Sequence, residues 1–330
     1  MPCLNEAANL PALLDDLLAD LGDEDAIIVV ADGGSTDGSR EIVRAYAARD
    51  ARVRLMTNPA RFQSAGVNRA ARLYASGRRW LIRIDAHADY PRGFVRRLVD
   101  EAERTGADSV VVRLVTKGRG PFQRAAATAM NSALGAGGSA HRVGASAGWV
   151  DHGHHALFDL NVFLGLGGYD ESFTHNEDAE FDTRLLQAGG RIWLTDRVEV
   201  GYHPRSRPGA LFRQYFNYGR GRARTTLKHR TQLRLRQVAP LAVAPAALLA
   251  PAGFESPVLA APALLWAGAC LAGGLALAVK SRRPSDATAG PVAMLMHLAW
   301  SLGFWTQLAR AAASLRLSRP VYARSYGALR

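Results

Sequence analysis

Two apolar runs, each ending on an aspartate, constrain what this chain can fold into more than any other feature. Ala26-Ile27-Ile28-Val29-Val30-Ala31 runs into Asp32-Gly33-Gly34-Ser35-Thr36-Asp37-Gly38-Ser39, and Trp80 to Ile84 runs into Asp85. Short apolar runs of this kind, closed by glycine or polar residues, read as strands buried on both faces. Helical patterns surround them. Leu10, Leu13, Leu14, Leu17, Leu18 and Leu21 stripe residues 9–21, and Ile42, Val43 and Tyr46 share a face after Ser39. Further helices are expected near 64–76 and 91–104, and further strands over 53–56 and 109–114. Strands alternating with helices predict an α/β fold, a mostly parallel sheet with helices on both faces. Ligands of such sheets bind off the carboxyl ends of the strands. Asp32 and Asp85 both sit there.

Charge divides the chain. Among 330 residues the net charge is +12, yet residues 201–330 hold 18 Lys+Arg against 2 Asp+Glu, so residues 1–200 are slightly acidic. A basic chain invites a nucleic-acid reading. Here, however, the basic residues abut apolar runs, the pattern of a cytoplasmic membrane face, and we expect no nucleic-acid partner. Residues 203–236 carry ten Lys+Arg and no acid, interleaved with Phe212, Tyr215, Phe216 and Tyr218, as in a helix lying on a membrane surface. Within residues 238–279 only Glu255 is charged. At ~1.5 Å per residue that stretch makes about 63 Å of helix, two crossings of a core ~30 Å thick. The expected crossings are 238–254 and 257–279, turning at Gly253-Phe254-Glu255-Ser256. Pro240, Pro245 and Pro251 weaken the first. Lys280, Arg282 and Arg283 follow the second, which puts both hairpin ends in the cytoplasm. A third apolar stretch, 291–309, reads as an interfacial or re-entrant helix, with a third crossing as the alternative. The tail after it is basic (Arg310, Arg316, Arg319, Arg324, Arg330). The expected division is therefore a catalytic domain over 1–205, a basic interfacial segment over 206–236 and a membrane domain over 237–330. This describes a multi-pass inner-membrane protein whose first domain faces the cytoplasm. Cys3 and Cys270 support neither a disulfide framework nor a zinc motif, which suits a reducing compartment, and residues 1–30 lack a secretory n-region.

Three polar segments carry candidate chemistry. The turn at 32–39 offers a carboxylate and backbone N–H groups to a uracil or ribose, or it simply caps the next helix. It is neither a P-loop nor a dinucleotide fingerprint. In Asp85-Ala86-His87-Ala88-Asp89 three potential ligands recur at every second residue, on one side if the chain stays extended. Mg²⁺ or Mn²⁺ bound there would suit a diphosphate. In Asn176-Glu177-Asp178 the acids open a helix that runs to Gly189-Gly190. They either complement its dipole or include a base that deprotonates a hydroxyl. The cluster Asp151-His152-Gly153-His154-His155 matches no zinc spacing and reads as a loop lining the acceptor cleft.

In order, Pro2-x-x-Asn5-Glu6, the 32–39 turn, Asp85-Ala86-His87-Ala88, Gly167-Gly168-Tyr169-Asp170-Glu171 and Asn176-Glu177-Asp178 resemble inverting family 2 glycosyltransferases of the GT-A fold. The resemblance extends to the succinoglycan-biosynthesis glucosyltransferase subgroup and covers about residues 1–230. It implies that Asp32 binds the nucleoside in a pocket also lined by Pro2, Asn5 and Glu6. It implies that Asp85 belongs to the metal and diphosphate motif, that Gly168 and Glu177 lie against the nucleotide sugar, and that Asp178 is the base. His87 stands where the second acid is usual, with Asp89 as a substitute. Arg220 falls near the position of a Gln/Arg-x-x-Arg-Trp motif that this chain lacks, which argues against a processive synthase. The implied activity is transfer of a sugar, glucose by subgroup, from UDP-glucose to a polyprenyl-diphosphate-linked saccharide in exopolysaccharide biosynthesis, with a divalent cation. A polyprenyl-phosphate sugar transferase and a catalytically inactive membrane scaffold of the same fold are the alternatives. The family's first strand normally precedes Pro2, so Met1 is expected to be an internal residue of that strand. An in-frame stop codon immediately upstream would contradict this.

Overall fold

The computed structural model describes residues 1–317 except 23, 140, 141, 143, 145 and 234. The expected basic residues Arg319, Arg324 and Arg330 lie outside the described residues. In chain order the elements begin with β1 (Pro2–Cys3), α1 (Leu10–Leu21), β2 (Ile28–Asp32), α2 (Ser39–Arg49), β3 (Val53–Thr57), α3 (Gln63–Tyr74), β4 (Trp80–Ile82), α4 (Phe94–Thr105) and β5 (Ser109–Thr116). There follow α5 (Pro121–Met130), α6 (Ala133–Ala136), β6 (Gly148–Val150), β7 (His154–Asp159), α7 (Leu160–Gly165), α8 (Glu177–Gln187) and β8 (Ile192–Tyr202). The last are α9 (Pro208–His229), α10 (Leu235–Leu241), α11 (Val243–Leu249), α12 (Pro257–Ser281) and α13 (Ala289–Leu317).

Strand–helix alternation through β5 follows the apolar periodicity, and β2 ends on Asp32, whereas β4 stops at Ile82 before reaching Asp85. β1, β2 and β3 form a parallel sheet in that order. The other five strands run β4-β7-β5-β8-β6. In this second sheet β5 and β8 are parallel, whereas β7 runs antiparallel to both neighbours and β6 runs antiparallel to β8. The parallel framework therefore holds for the first half, and the antiparallel strands β6 and β7 make the second sheet mixed. The first strand is also present as a short element. Pro2 and Cys3 register with Ala31 and Asp32, and the Met1 amino group donates to Val29 O at 2.9 Å. β1 lies at the sheet edge.

Leu10, Leu13, Leu14, Leu17 and Leu21 turn one face of α1 into the core with Val30, Phe94, Leu98 and Val110. Each such side chain contributes roughly 1.5–3 kcal/mol by burial. A second cluster joins Phe158, Phe163, Tyr169 and Phe181, with ring centroids 5.0–6.1 Å apart. It forms the floor beneath α8.

A third core fastens the C-terminal helices to the rest. Ala125, Ala126, Ala129 and Met130 of α5 meet Leu211 of α9 and Ala289, Val292, Ala293 and Met296 of α13. A Cβ on Gly219 would collide with the Trp300 carbonyl, and one on Gly303 with the Phe216 carbonyl. Only glycine at both positions lets α9 and α13 cross this closely. The basic helix α9 is thus sandwiched by protein on its small-residue face, with Gly219, Gly221, Ala223 and Thr225 buried.

Among the described residues, the segments long and apolar enough to cross a membrane are Gln237–Phe254 and Pro257–Ser281. The first is not one helix. It breaks into α10, α11 and a 3₁₀ turn over Ala250–Phe254. Proline explains the break: Pro245 has no N–H for the Leu241 carbonyl one turn back. That carbonyl instead accepts from Ser301 Oγ (3.1 Å) and Trp305 Nε1 (2.8 Å) of α13. Leu248, Phe254, Val258, Leu264, Leu265 and Val279 are exposed on α11, α12 and the turn between them. α13, the third apolar stretch, instead buries Ala299, Ser301 and Phe304 in the protein.

Candidate active site

The carboxyl ends of β1 and β2 carry two loops laced together. Asn5 N donates to Ser35 Oγ (2.9 Å), Thr36 N to Asn5 Oδ1 (2.8 Å) and Glu6 N to Ser39 Oγ (2.9 Å). Pro2, Asn5, Glu6 and Asp32 are therefore brought together. Asp32 is buried, and its carboxylate accepts from Gly34 N (3.0 Å) and Ser35 N (3.1 Å), with Arg40 Nε 3.6 Å away. Its oxygens shape the turn first. A carboxylate has about four lone-pair sites, so this leaves capacity for a ligand donor.

β4 ends at Ile82, earlier than the apolar run, and the chain turns at Ala86–Ala88. The alternation expected for Asp85, His87 and Asp89 is lost with the strand. Asp85 Oδ1 accepts from Gln63 Nε2 (2.6 Å) and Arg83 Nε (3.3 Å). His87 Nδ1 lies 3.0 Å from Glu6 Oε1. Asp89 points elsewhere. It bridges Gly201 through its backbone, and its carboxylate pairs with His203 (3.2 Å) and Lys117 (3.6 Å). Asp89 is thereby held on the His203 and Lys117 side, while His87 pairs with Glu6. Carboxylate oxygens such as those of Asp85 suit Mg²⁺ or Mn²⁺.

Asn176 adopts φ 68°, and its turn presents Glu177 and Asp178 in the first turn of α8. α9 presses on this turn, since a Cβ on Gly221 would lie 2.6 Å from Asn176 Cβ. Asp178 Oδ2 lies 2.5 Å from His154 Nδ1 at the start of β7, and Oδ1 accepts from Ala179 N at 2.8 Å. Burial alone would raise the Asp178 pKa. The His154 partner, with His152 and Arg83 nearby, wins and holds it well below the ordinary carboxylate value. Burial in turn lowers the His154 pKa against the pull of Asp178. His152 repeats the arrangement with Asp182 at 2.7 Å. His152, His154 and Asp178 also lie close enough, with ligand atoms within 4.8 Å of one another, to be a possible metal group. Within that group Asp178 and His154 are already paired with each other, and His152 with Asp182.

Arg83 joins the two acidic segments. Its guanidinium is almost fully buried, 3.3 Å from Asp85 and 3.3 Å from Glu177, and 5.7 Å above the Tyr169 ring. Burial pushes the Glu177 pKa up to about 7, aided by Asp178 and opposed by Arg83. Gly168, at φ +71°, lies in the loop that Asn68 clasps: Asn68 bonds Tyr169 N (2.8 Å), Tyr169 O (2.8 Å) and Glu171 Oε1 (2.9 Å). A side chain on Gly168 would collide with Asn68 Oδ1. Arg220 lies on α9, near enough to lower the pKa of His175, whose main cause is burial. Its Nε is buried without a hydrogen-bond partner among the described residues.

Sequence reasoning found the aspartates and missed Arg83, Gln63 and Asn68, while His154 was noted only as part of a lining loop. A charged residue inside an apolar strand, Arg83 between Leu81-Ile82 and Ile84, was the available signal.

The Glu177 pKa has a consequence for stability. A carboxyl that titrates near 7 when folded and near 4.5 when unfolded binds more protons folded between those values. Its contribution is therefore most favourable below the lower value and is lost as pH rises through the upper one. Relative to Glu177→Gln, the melting temperature of the native protein is expected to fall between about pH 5 and about pH 8. Scanning fluorimetry giving parallel curves for both proteins would contradict the buried, proton-retaining Glu177.

Comparison with known proteins agrees with this geometry. The family model for glycosyl transferase family 2 matches residues 1–165. The chain is 52% identical over 308 residues, 93% of each chain, to the succinoglycan biosynthesis protein ExoA of Rhizobium meliloti (strain 1021). Among solved structures it is similar to the mannosyltransferase PcManGT from Pyrobaculum calidifontis in complex with GDP-Man and Mn²⁺. The TM-score there is 0.58 at 21% identity, covering 93% of this chain and 86% of that one. A fainter likeness, TM-score 0.46 at 14% identity over 93% and 90% of the chains, is to S. aureus TarS 1–349. With the family model spanning half the chain and a relative this similar along nearly all of it, the chain belongs to glycosyl transferase family 2 and is a glycosyltransferase of the GT-A fold.

Proposed function

We propose that this protein is an inverting hexosyltransferase of exopolysaccharide biosynthesis that moves glucose from UDP-glucose to a saccharide carried on polyprenyl diphosphate. The observation that carries the mechanism is Asp178, held ionised by His154 and joined to the Asp85 loop through Glu177 and Arg83. The likeness to ExoA supports exopolysaccharide synthesis. The nucleotide sugar and Mn²⁺ named for PcManGT support the donor class and the cation.

In this reading Asp32 receives the nucleoside, with Pro2, Asn5 and Glu6 as the adjoining wall. Asp85 and His87, beside Glu6, would hold Mg²⁺ or Mn²⁺, which supplies positive charge to the leaving diphosphate. Arg220 offers that diphosphate a second donor. The Gly168 loop and Glu177 lie against the sugar. The acceptor hydroxyl attacks the anomeric carbon while the bond from that carbon to the diphosphate oxygen breaks. The hydroxyl proton passes to Asp178 as the new bond makes the hydroxyl acidic. His154 fixes the carboxylate's orientation. A single displacement inverts the anomeric configuration. The exposed apolar faces of α11 and α12 suit a bilayer, and the basic residues beside them suit its cytoplasmic side. This supports a catalytic domain over 1–205 working next to the basic segment 206–236 and a membrane domain over 237–330.

The test uses full-length protein in nanodiscs, labelled UDP-glucose, UDP-galactose and GDP-mannose, and a bacterial lipid-linked saccharide extract. Divalent-cation-dependent transfer of label from UDP-glucose into the lipid fraction is expected. Absence of transfer from every donor would sink the proposal in favour of a non-catalytic scaffold.

A further inference from the structure

A cavity of about 290 Å³ lies between α8, α9, Asp151 and His152, and Thr231, Gln232, Leu233 and Gln237. Thr183 and Gln187, four residues apart, lie on one face of α8. Thr226 on α9 also lines the cavity, and Gln232 stands on the segment that follows α9. Half of the lining's twelve residues carry hydroxyls or amides. Its one guanidinium, Arg222, is offset by one carboxylate, Asp151. Such a lining suits a neutral molecule dense in hydroxyl groups better than a phosphate or an acyl chain. Its volume is near the lower end of the roughly 300–1,000 Å³ usual for small-molecule sites, the scale of a sugar ring with its substituents. Thr226 Oγ1 is buried and has no hydrogen-bond partner among the described residues. An orphan of this kind is costly, and a ligand hydroxyl would satisfy it.

Two further observations orient the cavity. His152 lines it, and the His152 ring lies 5.0 Å from that of His154, which holds Asp178. One end of the cavity is therefore two imidazoles from the carboxylate. Gln237, which also lines the cavity, lies on α10 and opens the apolar segment Gln237–Phe254. A saccharide attached to a lipid could occupy the cavity while its carrier follows the apolar helices.

We propose that this cavity is a subsite for a sugar unit of the acceptor, held by Thr183, Gln187, Thr226 and Gln232, with His152 at the end nearest Asp178. The inference rests on the transferase reading and adds where that reaction's acceptor is recognised.

The test is ligand-observed NMR on the full-length protein in nanodiscs, by saturation transfer for glucose, galactose and lactose and by phosphorus-31 line broadening for inorganic pyrophosphate as the charged control. UDP affinity is measured in parallel by calorimetry. Wild type is expected to bind at least one sugar and to show no pyrophosphate signal that these sugars displace. The double variant Thr226→Val with Gln187→Leu is expected to weaken sugar binding about tenfold or more, as for one or two lost hydrogen bonds. UDP affinity should stay within about twofold, which also reports that the variant is folded. Thr226→Ser, which keeps the hydroxyl, should bind like wild type. Equal sugar binding by wild type and double variant, binding of pyrophosphate in place of the sugars, or no sugar binding would each overturn the subsite. If UDP binds and label is transferred while the cavity binds no sugar, the subsite fails and the transferase reading stands. If sugar binds but no donor is ever turned over, the transferase reading fails and the acceptor assignment falls with it.

Discussion

Asp178→Asn is expected to lower kcat by about three orders of magnitude, within the 10²–10⁴ range typical for loss of a general base. Its effect on the Kd for UDP-glucose should be no more than about twofold. The asparagine is nearly isosteric and can still accept from the Ala179 N–H that Asp178 engages at 2.8 Å. It cannot take a proton from a hydroxyl, and it removes the carboxylate that His154 contacts. The split between turnover and donor binding separates a base from a structural acid. Loss of the buried Asp178–His154 pair through unfolding would instead remove both, so thermal melts accompany the kinetics. Near-normal turnover with the fold intact would refute the base assignment.

Arg83→Met is expected to have the largest effect on stability. Arg83 is the shared partner of Asp85 and Glu177, at 3.3 Å from each, and only 9% of its side chain is exposed. Methionine keeps much of the volume and abandons two carboxylates with little access to water. Breaking a buried pair by removing one partner costs about 3–5 kcal/mol. In a domain of this size, that lowers Tm by roughly 6–20 °C at 2–4 °C per kcal/mol. Adding Glu177→Gln should recover part of the loss, because one stranded charge disappears. Calorimetry giving a Tm within about two degrees of wild type for Arg83→Met would show that water reaches these carboxylates despite their burial.

Much of the frame was legible because it is local. The leucine stripe of α1 and the apolar runs before Asp32 and Asp85 announce their elements by periodicity alone, and Glu177 and Asp178 open α8 as expected for first-turn acids. What escaped is long-range. β7 is antiparallel and inserts between β4 and β5, a topology no spacing in the sequence encodes. Asn68 meets Tyr169 across 101 residues of chain, and Gln63 meets Asp85 across 22. His154 acquires its meaning only when β7 carries it to α8. Near Asp89 the local rule failed because β4 ends early, so alternation no longer governs where side chains point. The C-terminal region shows both limits. Composition announced apolar helices, but the glycine crossing of α9 with α13 and the capture of the Leu241 carbonyl by Ser301 and Trp305 come from tertiary packing.

The central claim is a single displacement driven by Asp178. The most direct measurement is the anomeric configuration of the first product formed from UDP-glucose, whose glucose is α-linked, read from the proton NMR spectrum of the isolated glycolipid. The account predicts a β-linked glucose, formed by wild type and absent with Asp178→Asn. An α-linked product would contradict it.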